Sequence, residues 1–378
     1  MTGRLAKACI TATLAALLCS CSGDKYITIQ GFAQGGEYTV KLNLMGRNGM
    51  IHRSPEKIKA DIDSILTEID TTLSGYNKKS LLSRFNAGER IPLRKGSIFT
   101  DIYRKAWDFY EETDGAIDVS GAPLFDLWGF GFTRDSLPSR QEIDRVLESC
   151  GMNRLRRNMD SIAASTGTIA APDLILLRDS ATKGSNSSAD KNNGKGSYVE
   201  LNYNAIAQGY SCDLVAQYLY GIGVKDMLVD IGEIFCDGSN PNGEGWKIGI
   251  DRPIDGNNSP GQDIVGVWQS GKGPCGIVTS GNYRKFYIHN GKKYAHTIDP
   301  RTGYPVNHTL LSATIAAPDA TSADAYATYC MVIGLDQAKK FIAKKEAEGI
   351  SGYLVYSAPD GKMQEWASRN FFTTDAGQ

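Results

Sequence analysis

A single large α+β domain is the fold this sequence predicts, and three observations carry the prediction. Some stretches repeat apolar residues every three to four positions, as helices do, and others alternate them every second position, as strands do. No Pro-rich or charged linker divides the 378-residue chain into separate cores. The length exceeds that of the usual single domain, which leaves a division into two lobes open.

The N-terminus reads as an export signal. Arg4 and Lys7 precede an apolar run from Ala8 to Leu18, too short for a bilayer-spanning helix, which needs roughly 20 apolar residues. The run ends in Leu18-Cys19-Ser20-Cys21, similar to a bacterial lipobox. On that reading residues 1–20 are a lipoprotein signal peptide and Cys21 is the lipidated first residue of a domain covering 21–378; an ordinary cleaved signal peptide is the alternative. The expected location is the bacterial cell envelope, with acyl chains holding the protein to a membrane, the inner one facing the periplasm.

Ser54-Pro55-Glu56 opens the first helix, with Pro at the first helical position and Ile58, Ile62, Ile65, Ile69 and Leu73 along one face. A second helix is expected from Ile98 to Tyr110. A third starts at Ser139, where Glu142 completes a capping box ahead of Ile143, Val146 and Leu147. Strands are expected at Tyr26 to Gln30, Tyr38 to Leu44, Tyr198 to Tyr203, Met227 to Ile231, Trp246 to Ile250 and Ile264 to Trp268. Arg284 to His289 and Lys292 to His296 flank Asn290-Gly291, a strong hairpin signal that delivers His296 at a strand end. Residues 183–196 are Ser-, Asn-, Gly- and Lys-rich with almost nothing apolar to bury, and read as a mobile surface loop.

The net charge of −1 at pH 7 argues against nucleic acid as the main partner. Beyond Cys21 the cysteines are Cys150, Cys212, Cys236, Cys275 and Cys330, an odd set without C-x-x-C spacing, which makes a zinc site or a disulfide framework a poor reading. The 4 histidines contain no His-x-x-x-His pair. P-loop, nucleophile-elbow and dinucleotide fingerprints are missing as well.

Chemistry concentrates in His296-Thr297-Ile298-Asp299-Pro300-Arg301-Thr302-Gly303 and in Ala323-Asp324-Ala325-Tyr326-Ala327-Thr328. Asp324 and Thr328, at i and i+4, share a helix face on which carboxylate and hydroxyl oxygens can converge on one hard cation; the alternative is an Asp near a helix start and a Thr bonded to its own backbone. Three more segments stand out. They are Leu73-Ser74-Gly75-Tyr76-Asn77 with Ser80 to Asn86, Gly115-Ala116-Ile117-Asp118-Val119-Ser120 leading to Trp128, and Leu201-Asn202-Tyr203-Asn204-Ala205-Ile206-Ala207-Gln208-Gly209-Tyr210-Ser211-Cys212-Asp213.

In this order the segments resemble the ApbE family of FAD:protein FMN transferases. The resemblance implies a flavin-handling transferase with FAD as substrate and Mg²⁺ as cofactor. Cofactor contacts would fall on Met45, Tyr76, Ala116, Ile117, Asp118, Asn202, Gln208 and Ile298. Metal ligands would be Asp324, Thr328 and the Ala205 carbonyl, and His296 and Asp324 the catalytic pair. Met45 enters through Leu44-Met45-Gly46-Arg47, similar to the family's Met-Gly-Thr with Arg47 in place of threonine. Asn202 stands where an aspartate is common and Gln208 where a lysine or glutamate is common; both keep hydrogen-bonding capacity without charge.

The implied reaction is attack by a Ser or Thr hydroxyl of an acceptor redox protein, carrying a short flavinylation motif, on the FMN-side phosphorus of FAD, with AMP leaving. His296 would take the hydroxyl proton or orient the pyrophosphate. Two rivals use the same residues: an FAD pyrophosphatase giving FMN and AMP, and a flavin-binding lipoprotein without turnover.

Overall fold

The computed structural model describes residues 25–89, 92–94, 96–129, 137–153, 155, 173–175, 199–257, 259–283, 286–289 and 292–372. Cys21, the signal segment and the loop 183–196 lie outside them.

An 8-stranded sheet organises the molecule. Its strands are β1 (Tyr26–Ala33), β2 (Gly36–Asn43), β3 (Met227–Asp230), β4 (Ile234–Asp237), β5 (Cys275–Gly281), β6 (Leu310–Ala317), β7 (Ser351–Ser357) and β8 (Met363–Ala367). They lie side by side in chain order, each antiparallel to the next. Helices and smaller hairpins are inserted between consecutive strands. They are α1 (Pro55–Leu73), α2 (Leu81–Asn86), α3 (Ile98–Glu112), α4 (Ala122–Leu127), α5 (Arg140–Leu147), α6 (Ala207–Gly221), α7 (Ala320–Ile333) and α8 (Leu335–Lys345).

Period-two alternation divides the strands between two cores. Phe235, Val278, Ile315 and Leu354 join the cluster that also buries the apolar stripes of the long helices. Their neighbours Cys236, Ile277, Ala316, Tyr353 and Val355 face the other way, against Trp246, Ile248, Ile250 and Trp268 of the hairpin Lys247–Asp251/Ile264–Gln269. The second cluster is thus the reverse face of one sheet, and the chain forms one α+β domain.

α1 starts as expected, with Ser54 accepting from the Lys57 N–H. Its buried stripe runs through Leu66, while Ile65 is only half-buried at the stripe's border. The capping box at Ser139 and Glu142 is present. Among the described residues the five cysteines after Cys21 form no disulfide; Cys212, Cys236 and Cys330 are buried.

The strand expected up to Tyr203 does not form among residues 199–203. The Asn86 side chain accepts from the Leu201 N–H at 2.9 Å and donates to the Leu201 carbonyl at 2.8 Å. Asn202 N–H goes to the Val119 carbonyl at 2.7 Å. These bonds occupy the groups a ladder would use. Among the described residues no helix is long and apolar enough to cross a membrane.

Candidate active site

The site is built where α6 meets α7. α6 leaves the turn at Ala205, and its Gly209 N–H donates to Asp324 Oδ2 at 3.1 Å. One turn further, Asp213 accepts from the N–H groups of Ala320 at 2.8 Å and Thr321 at 2.9 Å. The pairs 213 with 320 and 209 with 324 step by four residues in opposite directions. The helices therefore run antiparallel in this register, whose next step leads from Ala205 toward Thr328.

So close an approach needs glycine. A Cβ on Gly209 would stand 2.2 Å from the Ala320 carbonyl oxygen, and one on Gly276 of β5 would stand 2.4 Å from Ala320 Cα. The start of α7 is held between α6 and the sheet by these two absent side chains.

Asp324 is buried. Burial is the main cause that pushes its carboxyl up to about 8, with the Asp213 charge adding to the shift and the Gly209 N–H opposing it. Asp213 is itself pushed up to about 6 by burial, against the hydrogen bond from Thr321. A carboxylate in this setting favours a proton or a cation at its free oxygen. Thr328, half-buried, lies 3.3 Å from Ser280 Oγ on β5 through its own hydroxyl oxygen. Among the described residues the Ala205 carbonyl accepts no hydrogen bond, because the Gly209 N–H that would close the first helical turn goes to Asp324. Carboxylate, hydroxyl and free carbonyl are hard oxygen donors, a set that fits Mg²⁺.

His296 follows the hairpin Phe286–His289/Lys292–Ala295 directly. Its neighbour Thr297 donates to Asn282 Oδ1 at 2.8 Å, two residues past Ser280, and this ties His296 to the strand that meets Thr328. Ile298–Asp299 pairs with Tyr304–Pro305. The Asp299 carboxylate caps the intervening turn by accepting from the Arg301 N–H at 3.0 Å and from its guanidinium at 2.9 Å. Trp128 donates to the Gly303 carbonyl at 2.8 Å, docking the turn on the segment that follows Asp118.

Ala116 and Ile117 are buried, and their N–H groups are already used by the Thr113 carbonyl and hydroxyl, so only their carbonyls remain to meet a ligand. Asp118 accepts from the Ser120 N–H at 2.8 Å and from the Ser120 hydroxyl; burial raises its pKa against these bonds. Asn202 joins this segment through Val119 and accepts from the Asn204 N–H at 2.8 Å. Gln208 reaches the Ile231 carbonyl at 3.4 Å, in the turn between β3 and β4.

Tyr76 is 69% exposed. Its loop is nonetheless held: the Ser80 hydroxyl donates to the Ser74 carbonyl at 2.6 Å and Asn77 to Asp70 at 2.9 Å.

Met45 is not brought to this cluster. Arg47 N–H donates to the Gly223 carbonyl, and the Arg47 guanidinium lies 5.4 Å from the centre of the Tyr220 ring, past the opposite end of α6. A 15-residue helix such as α6 spans about 22 Å. The residue that does reach the site end of α6 is Gln34, in the β1–β2 turn, whose Nε2 donates to Ser211 Oγ at 2.5 Å. The signal for it was Gln34-Gly35-Gly36 ahead of an alternating strand, a two-residue turn with positive φ at Gln34 and Gly35. Asp213 closes the segment that begins at Leu201 but has no role assigned there, since its partners on α7 lie 107 and 108 residues away.

Comparisons with known proteins identify the family. Residues 35–353 match the model of the ApbE family. An FAD:protein FMN transferase of Haemophilus influenzae is 30% identical over 371 residues, covering 97% of this chain and 96% of that protein. One from Escherichia coli is 31% identical over 327 residues, covering 85% of this chain and 83% of its own. Among solved structures, the flavin transferase ApbE of Vibrio cholerae superposes with a TM-score of 0.69 at 27% identity, covering 92% of this chain and 98% of that one. The apo flavinyl transferase ApbE of Pseudomonas stutzeri gives 0.70 at 26% identity over 92% of this chain and 97% of its own.

Proposed function

We infer that this chain, which belongs to the ApbE family, is an FAD:protein FMN transferase that takes FAD as substrate. The observation that carries the chemistry is the junction of Gly209 with buried Asp324, which joins the start of α6, after the Ala205 carbonyl, to the helix that carries Asp324 and Thr328. Mg²⁺ would be held there by Asp324, Thr328 and the Ala205 carbonyl. Among the described residues no group of 3 or more His, Cys, Asp or Glu could hold a metal. A single protein carboxylate completed by substrate phosphate and water is the way Mg²⁺ is usually bound at phosphoryl-transfer sites. Bound there, the ion would neutralise the charge that grows on the pyrophosphate as it breaks.

The chain's own groups divide the remaining work. Tyr76 presents an exposed ring against which the flavin can lie. The carbonyls of Ala116 and Ile117, the side chains of Asp118, Asn202 and Gln208, and Ile298 would contact the rest of the FAD. The oxygen of a Ser or Thr hydroxyl on an acceptor redox protein bonds to the FMN-side phosphorus, the phosphorus–oxygen bond to AMP breaks, and His296 accepts the hydroxyl proton. Anchoring through Cys21 would place this reaction at the inner membrane, facing the periplasm.

Incubating the protein with FAD, Mg²⁺ and candidate acceptor fragments, then weighing the acceptor by mass spectrometry and assaying AMP, tests the assignment. An FMN adduct with AMP release supports it, and its loss in Asp324→Ala supports the site. FMN and AMP without an adduct would make the protein a pyrophosphatase. Flavin binding with neither product would make it a non-catalytic binder.

A further inference from the structure

The first turn of α7 is capped by two carboxylates from different places. One is the helix's own: Asp319 accepts from the Ser322 N–H and the Ser322 hydroxyl, each at 2.8 Å. The other comes from α6, 107 residues away. Asp213 Oδ1 accepts from the Ala320 N–H at 2.8 Å, and its Oδ2 from the Thr321 N–H at 2.9 Å and from the Thr321 hydroxyl. The local cap serves the third amide of the helix and Asp213 the first two, so the donors of one turn are shared between a near carboxylate and a distant one.

What the second carboxylate adds is a fixed register. Gly209 and Asp213 lie one turn apart on α6, and Ala320 and Asp324 one turn apart on α7. Between them α6 donates at Gly209 and accepts at Asp213, two bonds of opposite sense on the same pair of faces. One contact would leave α7 free to pivot; two fix both its slide and its rotation along α6. The quantity so fixed is the position of the Asp324 carboxylate and of Thr328, one turn on, relative to the Ala205 carbonyl.

We propose that Asp213 is a positioning residue for the divalent-cation site: by pinning α7 to α6 in this register, it holds Asp324 and Thr328 against the Ala205 carbonyl. The inference rests on the cation site described under the proposed function. It assigns Asp213 no contact with the cation or with the substrate.

Titration of Mn²⁺ into the full chain, with the free ion read by electron paramagnetic resonance, tests this without an acceptor protein. Asp213→Ala is expected to weaken Mn²⁺ binding by about tenfold or more, as loss of an outer-shell partner does. Asp319→Ala, which removes only the local cap, is expected to leave the affinity unchanged, with circular dichroism confirming that both variants are folded at the working temperature. Wild-type affinity in Asp213→Ala, or equal weakening in Asp319→Ala, overturns the proposal, the second because it reduces Asp213 to a generic helix cap. Asp324→Ala is the reference. If it still binds Mn²⁺ the cation site itself is wrong and the inference falls with it; if it alone loses the ion, only the role of Asp213 falls. Should Asp213→Ala not fold, Asp213→Asn and Thr321→Val carry the test: both are expected to weaken binding, and wild-type affinity in both overturns the proposal.

Discussion

The amide of Gly209 donates to Oδ2 of Asp324 across 3.1 Å, so the first turn of α6 ends on a carboxylate in the second turn of α7. A methyl group at residue 209 would stand 2.2 Å from the Ala320 carbonyl oxygen and 2.9 Å from Asp324 Cβ. Backbone cannot yield as a flexible side chain does, so Gly209→Ala must separate the helices. A loss of about 1–3 kcal/mol, the usual cost of overpacking, should appear in urea denaturation together with weaker Mn²⁺ binding. A variant as stable as wild type with unaltered metal affinity would mean that the helices do not touch here.

The elevated pKa of Asp324 makes a pH prediction with a definite sign. Its carboxyl has an ordinary value of 3.8 and is pushed up to about 8 by burial and by Asp213, against the Gly209 N–H. Between these values the folded protein holds a proton that the unfolded chain has released, so without metal this group's contribution to stability falls as pH rises, levelling off above about pH 8. Mg²⁺ held at the proposed site would favour the ionised form and should offset the decline. The comparison is wild type against Asp324→Asn, chelated and Mg²⁺-loaded, by denaturation midpoint across the range. A chelated wild type whose midpoint rises with pH relative to Asp324→Asn would contradict the burial of this carboxylate.

For His296 the expectation separates rate from binding. If the imidazole takes the acceptor hydroxyl's proton, His296→Asn should slow single-turnover FMN transfer by about 10²–10⁴-fold while FAD affinity, followed by flavin fluorescence, changes little. Affinity falling in step with rate would instead make His296 a group that positions the pyrophosphate.

Tyr76 offers a test free of folding effects, because its ring is 69% exposed and supports no core. Tyr76→Ala should weaken FAD binding by about 1–3 kcal/mol, the usual worth of stacking a flat heterocycle on an aromatic ring. Tyr76→Phe should bind normally, and thermal stability should not move in either. Normal affinity in Tyr76→Ala would place the flavin elsewhere.

Anchoring is tested at Cys21. Cys21→Ala should prevent acylation and release the protein from the membrane fraction. Retention of the variant on membranes after a high-salt wash would require a different attachment.

Much of the fold was legible because local physics wrote it. Ser54-Pro55 and Ser139 with Glu142 mark helix starts by hydrogen bonds made within one turn, and both are found as expected. β1, β2, β3 and the hairpin Lys247–Asp251/Ile264–Gln269 were visible wherever alternation or a strand-length apolar run survived. β6 and β7 escaped because they are covered on both faces. Leu310–Ala317 and Ser351–Ser357 carry apolar or small residues at nearly every position, leaving no period to detect.

By itself, then, the sequence determined the helix starts, the place of His296 just after a hairpin, and the spacing of Asp324 and Thr328 at i, i+4 on one helix. Each depends on residues within a few positions of one another. Only the tertiary structure decided that Asp213 and Gly209 meet Ala320, Thr321 and Asp324, and that Gln34 stands at the site end of α6 while Met45 lies past the other. Those relations join segments more than 100 residues apart, or, for Gln34, 177 apart. Contacts of α6 with α7 and with the β1–β2 turn set them, and Gly209 on α6 and Gly276 on β5 let backbones approach α7 to distances no local pattern records.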